Sequence, residues 1–181
     1  MSATMASTKE VVVPVQVFTV LRRELEKEVG TLPAVRALHH AGYAAGGGAA
    51  SSFEASGTAE SLPDLAAGDF WRRIERFFSK RGWGTLSHED VHPGVGVLRS
   101  PDWLEATPDA TDPEGSCSFT TGYLAGLLSE LSSRPVAVLE VTCRSRGDDA
   151  CRFAFGSEAV IHDLYGQLLE GADFDRALEA L

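Results

Sequence analysis

Three cysteines, Cys117, Cys143 and Cys151, all lie in the last third of the 181-residue chain. Cys117 opens a helical pattern, while Cys143 and Cys151 flank a turn and are equidistant from Gly147. Antiparallel pairing of the flanking strands would make those two near cross-strand neighbours. The first of these strands also carries Glu140 in the apolar setting Val138, Leu139 and Val141. A lone carboxylate there is expensive to bury without a positive partner, and a metal ion is such a partner. Three thiolates and a carboxylate would give a tetrahedral Zn²⁺ four ligands it accepts. Two other readings stay open: three small buried thiols, or, less well suited, a Cys143 to Cys151 disulfide. The spacing lacks the CxxC knuckle of the familiar zinc modules. Glu140 and Cys143 are also three apart, so a regular strand would send them to opposite faces and a shared site requires a bulge or bend.

Composition describes the body that must position these residues. With 44% hydrophobic, 8% aromatic and 23% charged residues, the chain has the profile of one globular domain, here taken as residues 15–181 behind a flexible stretch at 1–14. The net charge of −10 is uneven: residues 1–90 carry 11 acidic and 10 basic groups, residues 91–181 carry 15 and 6. That balance argues against nucleic acid as a partner. No apolar run approaches the ~18 residues of a membrane span, and the small polar start lacks a basic and apolar leader pattern, so a cytoplasmic location off the membrane is expected. In a reducing compartment clustered thiols are metal ligands or reactive groups more often than disulfides.

Periodicity predicts helices first. Val17, Val20, Leu21, Leu25 and Val29 recur at helical spacing over 15–30 and stop at Gly30. A second helix starts near Thr31 and is expected to end at the Gly46-Gly47-Gly48 run, with a surface loop over 51–64. A third, from about Gly68 to Lys80, sets Phe70, Ile74, Phe77 and Phe78 against a basic, solvated face of Arg72, Arg73, Arg76, Lys80 and Arg81. Two strands follow around His92-Pro93-Gly94, then a loop over 108–116. A fourth helix begins at Cys117, with Gly122 and Gly126 placed for close packing. The strand pair bearing the cysteines and two C-terminal helices complete the chain. The fold class is α+β: a small antiparallel sheet packed with helices.

The run EVTCRSRGDDACRF at 140–153, together with Cys117 followed by Gly122-Tyr123 and Ala125, resembles the signature of the 4-vinyl reductase domain family. That family includes sensory domains of bacterial activators of aromatic catabolism, such as phenol sensors, and a protein of bacteriochlorophyll biosynthesis. Its fold is similar to that of vesicle-tethering TRAPP subunits and, more distantly, of haem nitric-oxide-binding domains. The resemblance follows the order of elements over residues 15–170 and is specific over 115–153. It implies a zinc held by Cys117, Glu140, Cys143 and Cys151. Four protein ligands leave no open position, so the zinc would be structural. It also implies a homodimer and a pocket for a small apolar or aromatic molecule between helices and sheet.

Candidate lining residues are Phe70, Ile74, Phe77, Phe78, Trp83, Trp103, Phe119 and Tyr123; each would equally serve as ordinary core. The phenol sensors use a histidine on the helix before the first strand and a tryptophan in the second. The nearest positions here are Arg76 or Phe77 and Val97 or Leu98, so phenol specificity does not carry over. His88 and His92 are expected in a turn, His39-His40 on different sides of a helix, His162 at the surface, and Asp148-Asp149 serving the hairpin turn. No GxSxG, phosphate-binding loop or GxGxxG is present, so no catalytic activity is expected. Three functions are carried forward: a zinc-stabilised sensory module; a tetrapyrrole-pathway accessory protein; and a TRAPP-like interaction scaffold, which an enclosed space under about 300 Å³ would favour.

Overall fold

The computed structural model of the chain describes residues 10–57, 62–106, 115 and 117–181. Residues 1–9 of the expected flexible start and most of the loop over 108–116 lie outside the described residues. The elements are α1 (Gln16–Val29), α2 (Thr31–Ala55), α3 (Ala67–Lys80), β1 (Ser87–His92), β2 (Val95–Ser100), α4 (Ser118–Ser132), β3 (Ala137–Thr142), β4 (Cys151–Gly156), α5 (Glu158–Leu169) and α6 (Phe174–Glu179). The four strands form one antiparallel sheet in the order β1-β2-β4-β3.

Alternation along the strands divides the core in two. Leu98, Cys151 and Phe153 face a cluster with Phe53, Ile74, Phe77, Phe78, Trp103 and Leu124 from the helices. Their neighbours Val95, Val97 and Ala154 face Ile161, Leu164, Ala177 and Leu178 of the two last helices. The period of two thus builds a layer of helices on each side of the sheet.

One boundary differs from expectation. α2 does not stop at the glycine run but continues to Ala55, taking residues 51–55 out of the expected loop. α2 lies alongside α4 in the same direction, and the reason is backbone contact. A Cβ on Gly42 or Gly46 would fall on the carbonyl oxygens of Phe119 or Tyr123, and one on Gly122 or Gly126 on those of His39 or Tyr43. Glycines four apart on both helices let the two backbones touch, and that packing outweighs the helix-breaking tendency of three consecutive glycines.

Two further corrections concern polar residues. Arg73, assigned to the solvated face of α3, is 6% exposed. Its guanidinium lies over the Phe53 ring at 4.9 Å and donates to the carbonyls of Phe53, at 2.9 Å, and Glu54. It therefore closes the C-terminus of α2, where orphan carbonyls concentrate negative partial charge. His88 lies in β1 rather than a turn, its ring stacked on Trp71 at 4.0 Å and 4°. His92 ends β1, and its Nδ1 accepts the Gly94 N–H at 3.1 Å in the turn.

Candidate metal centre and the aromatic slot beside it

The bulge demanded by the spacing is present. β3 pairs with β4 as Glu140 to Phe153 and then Thr142 to Arg152, so Val141 is the extra residue. It shifts the phase of the strand and brings Cys143 to the face that Glu140 occupies. Beyond the strand, Arg144–Arg146 form a 3-10 turn closed by Gly147 at φ 95°. Asp148 Oδ2 accepts the Cys143 N–H at 2.7 Å, the turn role expected of the Asp148-Asp149 pair.

These devices bring together all four residues singled out from the sequence. One ligand atom from each of Cys117, Glu140, Cys143 and Cys151 lies within 4.8 Å of every other. Cys117 Sγ is 4.0 Å from Cys143 Sγ and 3.9 Å from Cys151 Sγ, close to the roughly 3.8 Å between thiolates around a tetrahedral zinc. The three thiols are fully buried, with no disulfide among them. Glu140 Oε2 accepts the Cys117 N–H at 3.4 Å, while Oε1 is buried with no hydrogen-bond partner among the described residues. Gly115 completes the cradle: its φ is +79°, and a Cβ there would lie 2.6 Å from Glu140 Oε2.

Electrostatics point the same way. Burial pushes the Cys117 thiol well above its ordinary range, and the neighbouring thiols add to it. Burial and the Cys143 thiol raise the Glu140 carboxyl well above the usual carboxylate range. At Cys151 the contact with Cys117 pulls downward, yet Cys143 and burial prevail and push the thiol up to about 12. Acidic groups held neutral around one point are the donor set a dication would deprotonate and bind. The residues fit a metal ion.

A support was not visible in the sequence. Glu105 is buried and accepts the N–H of Phe119 at 2.9 Å, that of Thr120 at 2.7 Å, and the Thr120 hydroxyl. It caps α4 just after Cys117, from a loop whose composition shows no pattern. Burial pushes its carboxyl up to about 7, against those hydrogen bonds and the charge of Arg22. Arg22, also buried, donates to the Gly115 carbonyl at 2.6 Å and joins α1 to the cradle. Only their neighbours on the chain, Trp103 and Cys117, could have drawn attention to this segment.

The expected pocket residues divide. Phe78, Trp83, Trp103 and Tyr123, with Thr120, line a closely packed aromatic slot with no room for a water molecule. Phe119 stacks on Trp83 at 6.0 Å, and Phe18 of α1, not anticipated, meets both rings at 5.2 Å. Phe70, Ile74 and Phe77 do not line it; Phe70 and Phe77 pack edge-on against Phe53. The slot and the thiols share one apolar cluster.

Residues 103–157, which hold all four candidate ligands, match the family model of the 4-vinyl reductase domain. The matched segment is the one that carries the cysteine run. Among curated proteins, an uncharacterised protein of Methanocaldococcus jannaschii is 34% identical over 80 residues. That match spans 44% of this chain and only 42% of the relative's length.

Solved structures share the fold. The phenol-responsive sensory domain of the transcription activator PoxR, crystallised with phenol, superposes with a TM-score of 0.65 at 16% identity, covering 94% of this chain and 82% of that one. A vinyl-4-reductase family protein from Methanocaldococcus jannaschii gives 0.52 at 18% identity, covering 82% and 83%. A trafficking protein particle complex subunit 3 from Naegleria fowleri, covalently bound to palmitic acid, gives 0.56 at 13% identity, covering 78% and 91%.

Proposed function

We propose that this chain is a non-catalytic sensory module that binds a small apolar or aromatic molecule and is held together by a structural zinc on Cys117, Glu140, Cys143 and Cys151. The observation that carries the reading is the orphaned carboxylate oxygen of Glu140, buried among three thiols with no donor among the described residues. Zn²⁺ would supply the missing positive partner and tie the hairpin to α4. Four protein ligands fill its coordination, which supports structure rather than Lewis-acid chemistry. Around it, Asp148 orients Cys143 through its backbone, and Gly115 leaves room for the Glu140 carboxyl.

The likeness to a phenol-responsive domain supports the sensory role, and the aromatic slot beside the cluster is where a flat apolar guest would lie. The tetrapyrrole reading has least support, because the slot has no room for a water molecule, far less for a porphyrin-like pigment. The scaffold reading is favoured by one observation, since the slot as it stands admits no water molecule, against the ~300 Å³ or more of ordinary ligand sites. A homodimer is supported by the apolar stripe that Val17, Val20 and Leu21 of α1 and Leu32 and Tyr43 of α2 leave exposed. No helix of the described residues is long and apolar enough to cross a membrane, in keeping with the cytoplasmic location we propose.

Elemental analysis with native mass spectrometry of chelator-free protein tests the reading. One zinc per chain, lost together with thermal stability in Cys143→Ala, is the expected result. Freshly reduced protein without zinc would sink the site.

A further inference from the structure

The slot is closed by a residue of the chain itself. Trp83 sits in the connection between α3 and β1, and its ring lies nearly parallel to Trp103, at 5.7 Å and 19°, and to Phe119, at 6.0 Å and 7°. Tyr123 meets it at a tilt from 6.1 Å.

The two indoles of the slot are held very differently. Trp103 is 1% exposed, and its Nε1–H donates to Thr120 Oγ1 at 2.7 Å. Thr120 is anchored in turn by Glu105. Trp83 is half-buried, and its indole N–H has no hydrogen-bond partner among the described residues. Among the described residues, ring contacts hold it.

Its backbone, in contrast, is fixed. Gly82 and Gly84 take φ of +78° and +116°, which turn the chain so that the ring folds back into the slot. The Trp83 N–H donates to the Phe78 carbonyl at 3.2 Å, and the Trp83 carbonyl accepts from Leu104 at 3.0 Å. Thr85 is tied to Asp102 through its N–H and hydroxyl, each at 2.8 Å. The part left without a hydrogen bond is therefore the indole, not the loop that carries it.

We propose that Trp83 gates the ligand slot, and that a planar aromatic molecule enters only when the indole swings away from Trp103 and Phe119. The inference rests on the sensory reading above and adds that the slot is closed at rest. Displacement would expose the Trp83 ring and loosen its contact with Phe18, which gives α1 a part in reporting occupancy.

Calorimetric titration of indole into the purified protein and into Trp83→Ala tests this. A slot closed more than nine-tenths of the time lowers apparent affinity at least about tenfold, so Trp83→Ala should bind indole at least about tenfold more tightly. Trp83→Leu, which keeps an apolar filler, should shift the same way if the alanine chain folds poorly. Trp103→Leu, which removes a wall, should weaken binding. Equal indole affinity in wild type and Trp83→Ala overturns the displacement while leaving a ligand slot. No binding by any variant overturns the slot and the sensory reading together.

Discussion

The Glu105 carboxylate accepts the Thr120 N–H at 2.7 Å from 15 residues away, and with its other oxygen it takes the Phe119 N–H at 2.9 Å. One side chain thus caps the helix whose first turn follows Cys117 and also anchors the wall tryptophan through Thr120. Removing it should be felt at both places. Glu105→Ala leaves buried N–H groups unpaired and should cost about 2 kcal/mol in urea unfolding; a loss under about 0.5 kcal/mol would show that the cap contributes little.

Glu105 also sets a pH dependence. Its folded value of about 7 lies above the ordinary carboxylate value of 4.5, so the folded state binds the proton more tightly than the unfolded one. That contribution is complete below about pH 4.5 and is lost as pH rises through 7. Wild type should therefore lose stability relative to Glu105→Gln over this interval, by about 3 kcal/mol at most. A stability difference that stays flat or grows with pH contradicts this.

Glu140→Gln should act with opposite signs in the two metal states. Without metal, it replaces a costly buried carboxyl by a neutral amide of the same shape, and stability should hold or rise. With zinc, it removes a charged ligand, and affinity should fall at least about tenfold by competition with a chromophoric chelator. Unchanged zinc affinity would take Glu140 out of the site.

The glycines of α2 should separate sharply. At Gly46 an added Cβ meets the Tyr123 carbonyl, whereas at Gly47 it meets nothing within 4 Å. Gly46→Ala should lose about 3 kcal/mol through overpacking, while Gly47→Ala should gain about 0.5 to 1 kcal/mol through helix propensity. Equal melting temperatures for the two would argue against the backbone contact of α2 with α4.

Arg73→Met keeps much of the stem but removes the cation that closes α2. A loss of about 2 kcal/mol by thermal or urea unfolding is expected, with zinc content unchanged. Full stability would mean that water replaces the guanidinium at the Phe53 and Glu54 carbonyls.

Local pattern carried most of the secondary structure and all four candidate ligands. The helical spacing before Gly30, the amphipathic run over 67–80 and the two strand pairs are properties of neighbouring residues, and short-range sterics and burial act on them directly. The bulge at Val141 was demanded by parity alone, because Glu140 and Cys143 could share a face in no other way. Tertiary structure decided where competing tendencies had to be weighed across the chain. Three glycines look like a stop until α4 offers a backbone to pack against, and Arg73 looks solvated until the end of α2 arrives beside it. Glu105 becomes a cap, and Trp83 a wall of the aromatic slot, only when segments distant along the chain meet. Contacts between remote residues carry no periodic signal, so only the folded chain reveals them.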